Sequence, residues 1–172
     1  MTDIHATIRS NQVAIAEFLE ALDAVPVAAW DRAPMPGAWS PAQVAEHVAI
    51  VYEVGMRLIE GTAKDPSAPR WLRPLIRTLV RATILRTGRL MRSKTASAFR
   101  PADTSAPREV VAARIESASR AFEQRAAQHV EAGRTTFDHP SFGRFGVSEY
   151  LQFQVFHTKH HQAQLPRLSP RS

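Results

Sequence analysis

The chain has 172 residues, of which 44% are hydrophobic and 22% charged, and its formal net charge is +6 at pH 7. This composition excludes an intrinsically disordered protein, and the length can bury a core without disulfides or a structural metal. The absence of cysteine excludes disulfides and a cysteine nucleophile. We see no secretory signal and no apolar run that could span a membrane, and we therefore expect a cytoplasmic protein.

Long helix-compatible stretches follow one another along the chain, and no stretch alternates convincingly as a strand would. A rough apolar stripe predicts a first helix from about Asp3 to Asp23. The second helix has a clear start, because Ser40 is a suitable N-cap, Pro41 suits the first helical position and Gln43 completes a capping box. We expect this helix to end near Gly61.

The other two helices of the predicted bundle lie in the C-terminal half. One starts after Ser105 and ends at Gly133, and the other runs from about Val147 to Leu165, where Pro166 would end it. The sequence therefore predicts an all-α four-helix bundle in one domain, residues 1–172, with a long crossover between the second and third helices.

The crossover carries an inserted basic helix at about residues 68–100, with an expected break near Gly88. Between Pro66 and Ala102 there are nine Lys or Arg residues and no acidic residue. One helical face carries Arg70, Arg73, Arg77 and Arg81, and the opposite face carries Leu72, Leu75, Ile76 and Leu79. Two interpretations stay open. Either the helix packs on the bundle and leaves a solvated arginine face, or the arginines bind an anionic ligand or surface. We expect no specific nucleic-acid partner, because no nucleic-acid motif is present.

Histidines interrupt the apolar seams of two predicted bundle helices. His157 and His161 are four residues apart on the last helix, so they share one face, and His160 lies to one side. His47 stands alone in an apolar stripe of the second helix. Burying a histidine without a partner would cost roughly 1–3 kcal/mol, so each needs a hydrogen bond, a charge partner or a metal.

Two neighbouring helices that carry these residues would bring three imidazoles to one point. Three neutral imidazole nitrogens at about 2.0–2.1 Å make a typical divalent-metal site with a fourth position open for water or substrate. The alternative is a core in which the histidines bond to backbone or serine groups. Spacing alone leaves both interpretations open, because histidine pairs four residues apart are common.

Two segments carry a family resemblance: Trp30 followed by PGAWSPAQVAEHV, and HPSFGRFGVSEYLQFQVFHTKHHQAQL near the end. The pattern is a Trp-Ser start, a histidine a few residues later, and then HxxxH followed closely by Gln-Leu. It resembles the DinB-like superfamily of YfiT-like, metal-dependent four-helix-bundle proteins. The resemblance implies a divalent-metal site with His47, His157 and His161 as ligands and zinc or nickel as the metal.

The resemblance also implies a class of activity. Relatives in this superfamily include low-molecular-weight-thiol S-transferases and a mycothiol-dependent isomerase, and many are dimers. We therefore expect a divalent-metal-dependent enzyme with a small-molecule substrate, either a small-thiol S-transferase or a hydrolase, with a low-molecular-weight thiol as a further cofactor and a homodimer as the assembly. The alternative is a non-catalytic helical protein that binds a metal or a small ligand. The basic insertion departs from the characterised transferases.

A few other polar residues lie near the predicted site. Gln164 follows His161 by three residues and is expected to hydrogen-bond a ligand histidine or a bound water. Glu46 and Glu53 are expected to be surface charges. Ser40 is expected to act as a helix cap and not as a nucleophile, because no Ser-His-Asp pattern surrounds it.

Overall fold

The protein is described by a computed structural model that covers residues 3–63, 68–90, 95, 97–102 and 106–168. The predicted all-α helical bundle is confirmed. The six helices found within these ranges are α1 (Ile4–Asp23), α2 (Pro41–Ile59), α3 (Arg73–Val80), α4 (Arg108–Glu131), α5 (Val147–Gln162) and α6 (Leu165–Leu168). A hairpin of β1 (Thr136–His139) and β2 (Gly143–Gly146) precedes α5. Shorter helical turns are Val27–Ala29, Arg81–Leu85 and Ser97–Phe99.

The predicted helix boundaries follow from local capping chemistry. The Asp3 side chain accepts a hydrogen bond from the backbone N–H of His5 and caps α1. At the start of α2, the Ser40 hydroxyl accepts from the Gln43 N–H, and the Gln43 side chain accepts from the Ser40 N–H, so the capping box is present. Gly61 adopts a φ of 72° just beyond α2, which is the left-handed geometry that ends many helices.

The bundle core lies between two closely packed helix pairs, α2 with α4 and α1 with α5. Phe18, Phe122 and Leu151 are fully buried there. Gly55 permits the close approach of α2 and α4, because a Cβ atom at this position would lie 3.2 Å from the Phe122 ring. The apolar seams read from the sequence therefore form one continuous core.

A chain of hydrogen bonds crosses this core and uses side chains from all four long helices. The Tyr52 hydroxyl donates to the side-chain oxygen of Asn11 at 2.7 Å and lies 2.9 Å from the Thr158 hydroxyl. The Glu123 carboxylate accepts from the amide groups of Asn11 at 2.7 Å and Gln12 at 3.1 Å. Burial raises the pKa of Tyr52, so the phenol stays protonated and able to donate.

The absence of strands predicted from the sequence is wrong for residues 136–146. In the antiparallel hairpin, Phe137 pairs with Phe145 and His139 pairs with Gly143. All four of these residues are buried, so the strands do alternate, but each is only four residues long. The His139 Nδ1 atom accepts backbone N–H groups from the turn, and its ring stacks on Phe142 with centroids 4.0 Å apart.

The predicted end of the last helix at Leu165 is also wrong, since α5 ends at Gln162. Proline has no N–H, and its ring clashes with the carbonyl four residues earlier, which for Pro166 belongs to Gln162. The helix therefore ends at Gln162 and does not continue through Pro166, which lies in the first turn of α6, where proline is tolerated. Leu165 is still buried, as its seam position predicted.

The inserted helix is present, and its partly exposed arginine face contacts the hairpin and α5. Arg77 donates to the backbone carbonyl of Arg144 in the hairpin, and Arg81 pairs with Glu149 through two hydrogen bonds of 2.9 and 2.8 Å. Large apolar side chains are also exposed: Trp71, Leu75 and Leu79 are 79%, 65% and 48% exposed. The expected break is confirmed, since the helical segment stops before Gly88, which has a φ of 68°.

No helix in the described part of the chain is both long enough and apolar enough to cross a membrane.

We predict that Tyr52→Phe destabilises the protein by about 1–3 kcal/mol, because the Asn11 oxygen would lose its buried donor. Urea denaturation of wild type and variant measures this difference. Ser10→Ala is the control, since it removes an exposed hydroxyl that bonds only within its own helix and should change stability by less than about 0.5 kcal/mol. Equal stability of the Tyr52 variant and wild type would show that the hydrogen-bond chain contributes little.

We also predict a pH-dependent contribution from His139. Burial, and secondarily the charge of Arg73, lowers the pKa of His139 from 6.5 to about 4. Between these values the unfolded chain binds a proton that the folded protein does not, so stability falls by up to about 3 kcal/mol as the pH drops from 6.5 to 4.

His139→Asn tests this contribution, because an asparagine oxygen can accept the same N–H groups and does not titrate. Wild type should lose more stability than the variant on acidification, as measured by urea denaturation at several pH values between 4.5 and 7. A difference between the two proteins that is independent of pH would contradict the assignment.

Candidate metal centre

The structure brings the three predicted histidines together. The Nε2 atom of His157 lies 3.2 Å from Nε2 of His47 and 3.2 Å from Nε2 of His161. One potential ligand atom from each residue lies within 4.8 Å of the others, and all three side chains are buried. α5 supplies two of them because positions four apart share one face, and α2 supplies the third from its apolar seam.

In two of the three histidines, the Nδ1 atom, on the side of the ring away from the cluster, forms a hydrogen bond. His47 Nδ1 lies 2.6 Å from the backbone carbonyl of Phe99, and His161 Nδ1 lies 2.9 Å from the Gln164 side-chain oxygen. A carbonyl oxygen can only accept, so in both residues Nδ1 carries the proton and Nε2 presents its lone pair to the centre. The hydrogen bond predicted for Gln164 is thus confirmed. His157 Nδ1 is buried without a hydrogen-bond partner.

Two of the three nitrogen separations in the cluster match those around a tetrahedral divalent ion. Nitrogens bound at 2.0–2.1 Å from a tetrahedral metal lie about 3.3 Å from one another, and the observed separations to His157 are 3.2 Å. Lone pairs that face each other at this distance repel unless a proton or a cation lies between them. Among the described residues the cluster contains no carboxylate, so a metal held here would keep a fourth position open.

Electrostatics keeps the cluster in the form that binds metal. Burial lowers the pKa of His157 well below its ordinary value, and the neighbouring His161 and His47 lower it further. Burial lowers the pKa of His161 to about 3. Burial also lowers the pKa of His47, although the bond to Phe99 opposes the shift. The imidazoles are therefore neutral at pH 7, as metal ligands must be.

Aromatic rings surround the cluster. The Trp39 ring centroid lies 4.9 Å from that of His47, and the Phe153 ring stacks on His157 at 6.1 Å. The His160 ring lies edge-on to His161 at 5.2 Å, and its Nε2 is 2.9 Å from the Gln164 amide nitrogen. His160 is therefore not part of the histidine group, as expected for a residue to one side of the seam.

The prediction that Glu46 is a surface charge is wrong. Glu46 is buried next to His47 in the sequence but points away from the cluster, and its carboxylate accepts a hydrogen bond from the Ala106 N–H at 3.1 Å. Glu53, by contrast, pairs with Arg114 in a partly exposed ion pair. Neither carboxylate is part of the histidine group.

The comparisons with known proteins agree with the geometry. The family model of the DinB superfamily matches residues 12–165, a range that includes all three histidines. The chain therefore belongs to the DinB superfamily. No curated protein and no solved structure matches it. Family and cluster together fit a metal-binding protein.

We predict that Gln164→Leu weakens divalent-metal binding about 10- to 100-fold, because His161 loses the acceptor that fixes its orientation. Gln164→Glu keeps an acceptor and should retain most of the affinity. His160→Ala is the matched control on the same turn and should bind metal nearly as wild type does. Competition with a chromogenic chelator measures all three. A larger loss in the His160 variant than in the Gln164→Leu variant would contradict this arrangement.

Proposed function

We propose that this member of the DinB superfamily is a divalent-metal-dependent enzyme in which His47, His157 and His161 hold zinc or nickel. The observation that carries the proposal is the convergence of three buried imidazoles, in which Nε2 of His157 lies 3.2 Å from Nε2 of each of the other two, close to the separation in a tetrahedral site. Imidazole ligands suit both metals. The buried, neutral state of the rings supports the same conclusion, because no proton has to be displaced at pH 7.

The number of protein ligands favours chemistry over a structural role. Structural zinc sites are usually closed by four protein ligands, whereas catalytic sites keep a position for water or substrate. Within the described residues the cluster supplies three. A divalent ion bound there would lower the pKa of a thiol or water at its open position.

Of the two candidate reactions, thiol transfer and hydrolysis, the transfer of a low-molecular-weight thiol to a small electrophile is better supported. Metal-dependent hydrolysis commonly pairs the metal with a nearby carboxylate that acts as general base, and the cluster contains none. A thiol needs no separate base once its proton is lost, because the thiolate is itself the nucleophile. The Trp39 and Phe153 rings would form apolar walls against the substrate and limit access of water. Hydrolysis is the second candidate reaction.

The first experiment measures metal content. Protein purified without a histidine tag should contain about one zinc or nickel ion per chain by elemental analysis, and His157→Ala should lose it. His5→Ala, which removes an exposed histidine on α1, is the control and should keep the metal. Stoichiometric metal in the triple variant His47→Ala, His157→Ala, His161→Ala would overturn the site.

The second experiment separates catalysis from binding. Addition of a small thiol to the nickel-loaded protein should produce a thiolate-to-nickel charge-transfer absorption. The same thiol, after losing its proton to solvent, should displace halide from a chromogenic aryl halide and form the aryl thioether faster with protein than without. Bound metal without thiol absorption or turnover would instead support the non-catalytic metal-binding alternative. Turnover of an activated ester without thiol transfer would support the hydrolase.

A further inference from the structure

A cavity lies between the start of α3 and the β-hairpin, lined by residues other than the three histidines. Its volume is about 210 Å³, and it is open to solvent. Four of its seven lining residues are arginines; the lining comprises Arg70, Arg73, Pro74, Arg77, Asp138, Gly143 and Arg144. None of these residues belongs to the candidate metal centre, so this cavity is a separate feature of the fold.

The charges around this arginine cavity are not balanced. Asp138 is the one carboxylate in the lining, and it lies 3.7 Å from the Arg73 guanidinium with a side chain that is 76% exposed. Four guanidinium groups facing one solvated carboxylate leave an excess of positive charge. Like charges held together repel one another, and a bound anion would remove that repulsion.

Neutral acceptors hold three of these arginines in place without neutralising them. Arg73 Nε donates to the carbonyl of Ala68 at 3.1 Å, and Arg77 Nη1 donates to the carbonyl of Arg144 at 3.0 Å. Arg144 Nε donates to the Thr136 hydroxyl at 3.2 Å. Because each guanidinium has five N–H donors, these single bonds fix the side chains and leave donors for a ligand.

Two neighbours show why the cavity stays open and charged. Arg81, one turn beyond Arg77, is neutralised by its paired bonds to Glu149 and does not line the cavity. Gly143 has a φ of 68° and no side chain, and a Cβ there would lie 3.5 Å from the Cβ of Arg73. A bulkier residue in the hairpin would therefore fill the space beside the arginines.

We infer that the arginine cavity binds the phosphate group of a phosphate ester. The two oxygens of a carboxylate can be filled by paired hydrogen bonds from one arginine. A phosphate group has more terminal oxygens and can bind several guanidinium groups at once. The cavity is several times the roughly 30 Å³ that a water molecule occupies, so it accommodates a phosphate and part of its ester substituent.

The ester has two possible sources, a soluble phosphomonoester or the headgroup of an anionic phospholipid. The second source is relevant because three apolar side chains are exposed in the segment that also supplies cavity arginines: Trp71 just before α3, and Leu75 and Leu79 within it. Apolar side chains next to cations are the combination that lies on anionic membrane surfaces.

The test compares two variants with the same loss of charge. The first, Arg73→Gln with Arg77→Gln, removes two cavity arginines. The second, Arg86→Gln with Arg89→Gln, removes two exposed arginines of the same inserted segment outside the cavity. Calorimetry with inorganic phosphate and with glycerol phosphate, at constant ionic strength, should show saturable binding to wild type. The cavity variant should bind at least about tenfold more weakly, and the control variant should bind within about twofold of wild type, because exposed charges contribute little.

Vesicles of phosphatidylcholine, with and without phosphatidic acid, identify the source. Binding only to acidic vesicles, lost in both the cavity variant and Leu75→Ser with Leu79→Ser, assigns the phosphate to a lipid headgroup. Saturable glycerol phosphate binding without vesicle binding assigns it to a soluble ester.

If the cavity variant does not fold, Arg144→Gln replaces it in the test, because the backbone carbonyl of residue 144 remains available to Arg77. Absence of binding to both phosphates and to acidic vesicles would overturn the inference, as would equal losses in the cavity and control variants.

Discussion

The candidate metal centre depends on one constraint: three neutral imidazole rings, those of His47, His157 and His161, are packed against one another. His157 stands 3.2 Å from both of its neighbours, and two of the three rings are fixed with Nε2 lone pairs toward the centre. This arrangement is unfavourable in a buried place unless a proton or a cation lies between the nitrogens. The protein maintains it by fixing two of the rings from behind, through Phe99 and Gln164. A site built in this way is preorganised before any metal binds.

The crossover between α2 and α4 is part of that preorganisation. His47 hydrogen-bonds to the carbonyl of Phe99, the last residue of the helical turn Ser97–Phe99 in the crossover. Glu46 accepts a hydrogen bond from the N–H of Ala106, just before α4 begins. Two consecutive residues of α2 therefore hold the crossover at two points. This explains why a carboxylate is buried beside a candidate ligand without belonging to the site. The crossover supplies the acceptor for His47, and the buried Glu46 carboxylate satisfies a backbone donor of the crossover.

Features set by local periodicity could be read from the sequence, and features set by distant partners could not. Ser40 and Gln43 fixed the start of α2, and the four-residue spacing of His157 and His161 fixed their common face. Phe99 acts through its backbone carbonyl, which leaves no side-chain signature. The amphipathic pattern of α3 defined two faces but not which one packs, because the partner of Arg81 is Glu149, far along the chain. Four-residue strands were too short to show their alternation against a helical background.

The orientation of α3 changes what the insertion contributes to the molecule. Arg77 extends toward the hairpin, where its guanidinium group donates to the Arg144 carbonyl. Arg81 extends toward α5, where its guanidinium group pairs with the Glu149 carboxylate. The aliphatic parts of both side chains can then pack against apolar surface. The same orientation leaves Leu75 and Leu79 exposed. The helix packs Ile76 and Val80 against the core, so Leu75 and Leu79 stay on the surface beside the arginines. The exposed leucines and the uncompensated arginines are therefore consistent with one requirement, a ligand or surface that carries negative charge next to apolar groups. The bundle supplies the histidine cluster, and the insertion and the hairpin supply the arginine cavity.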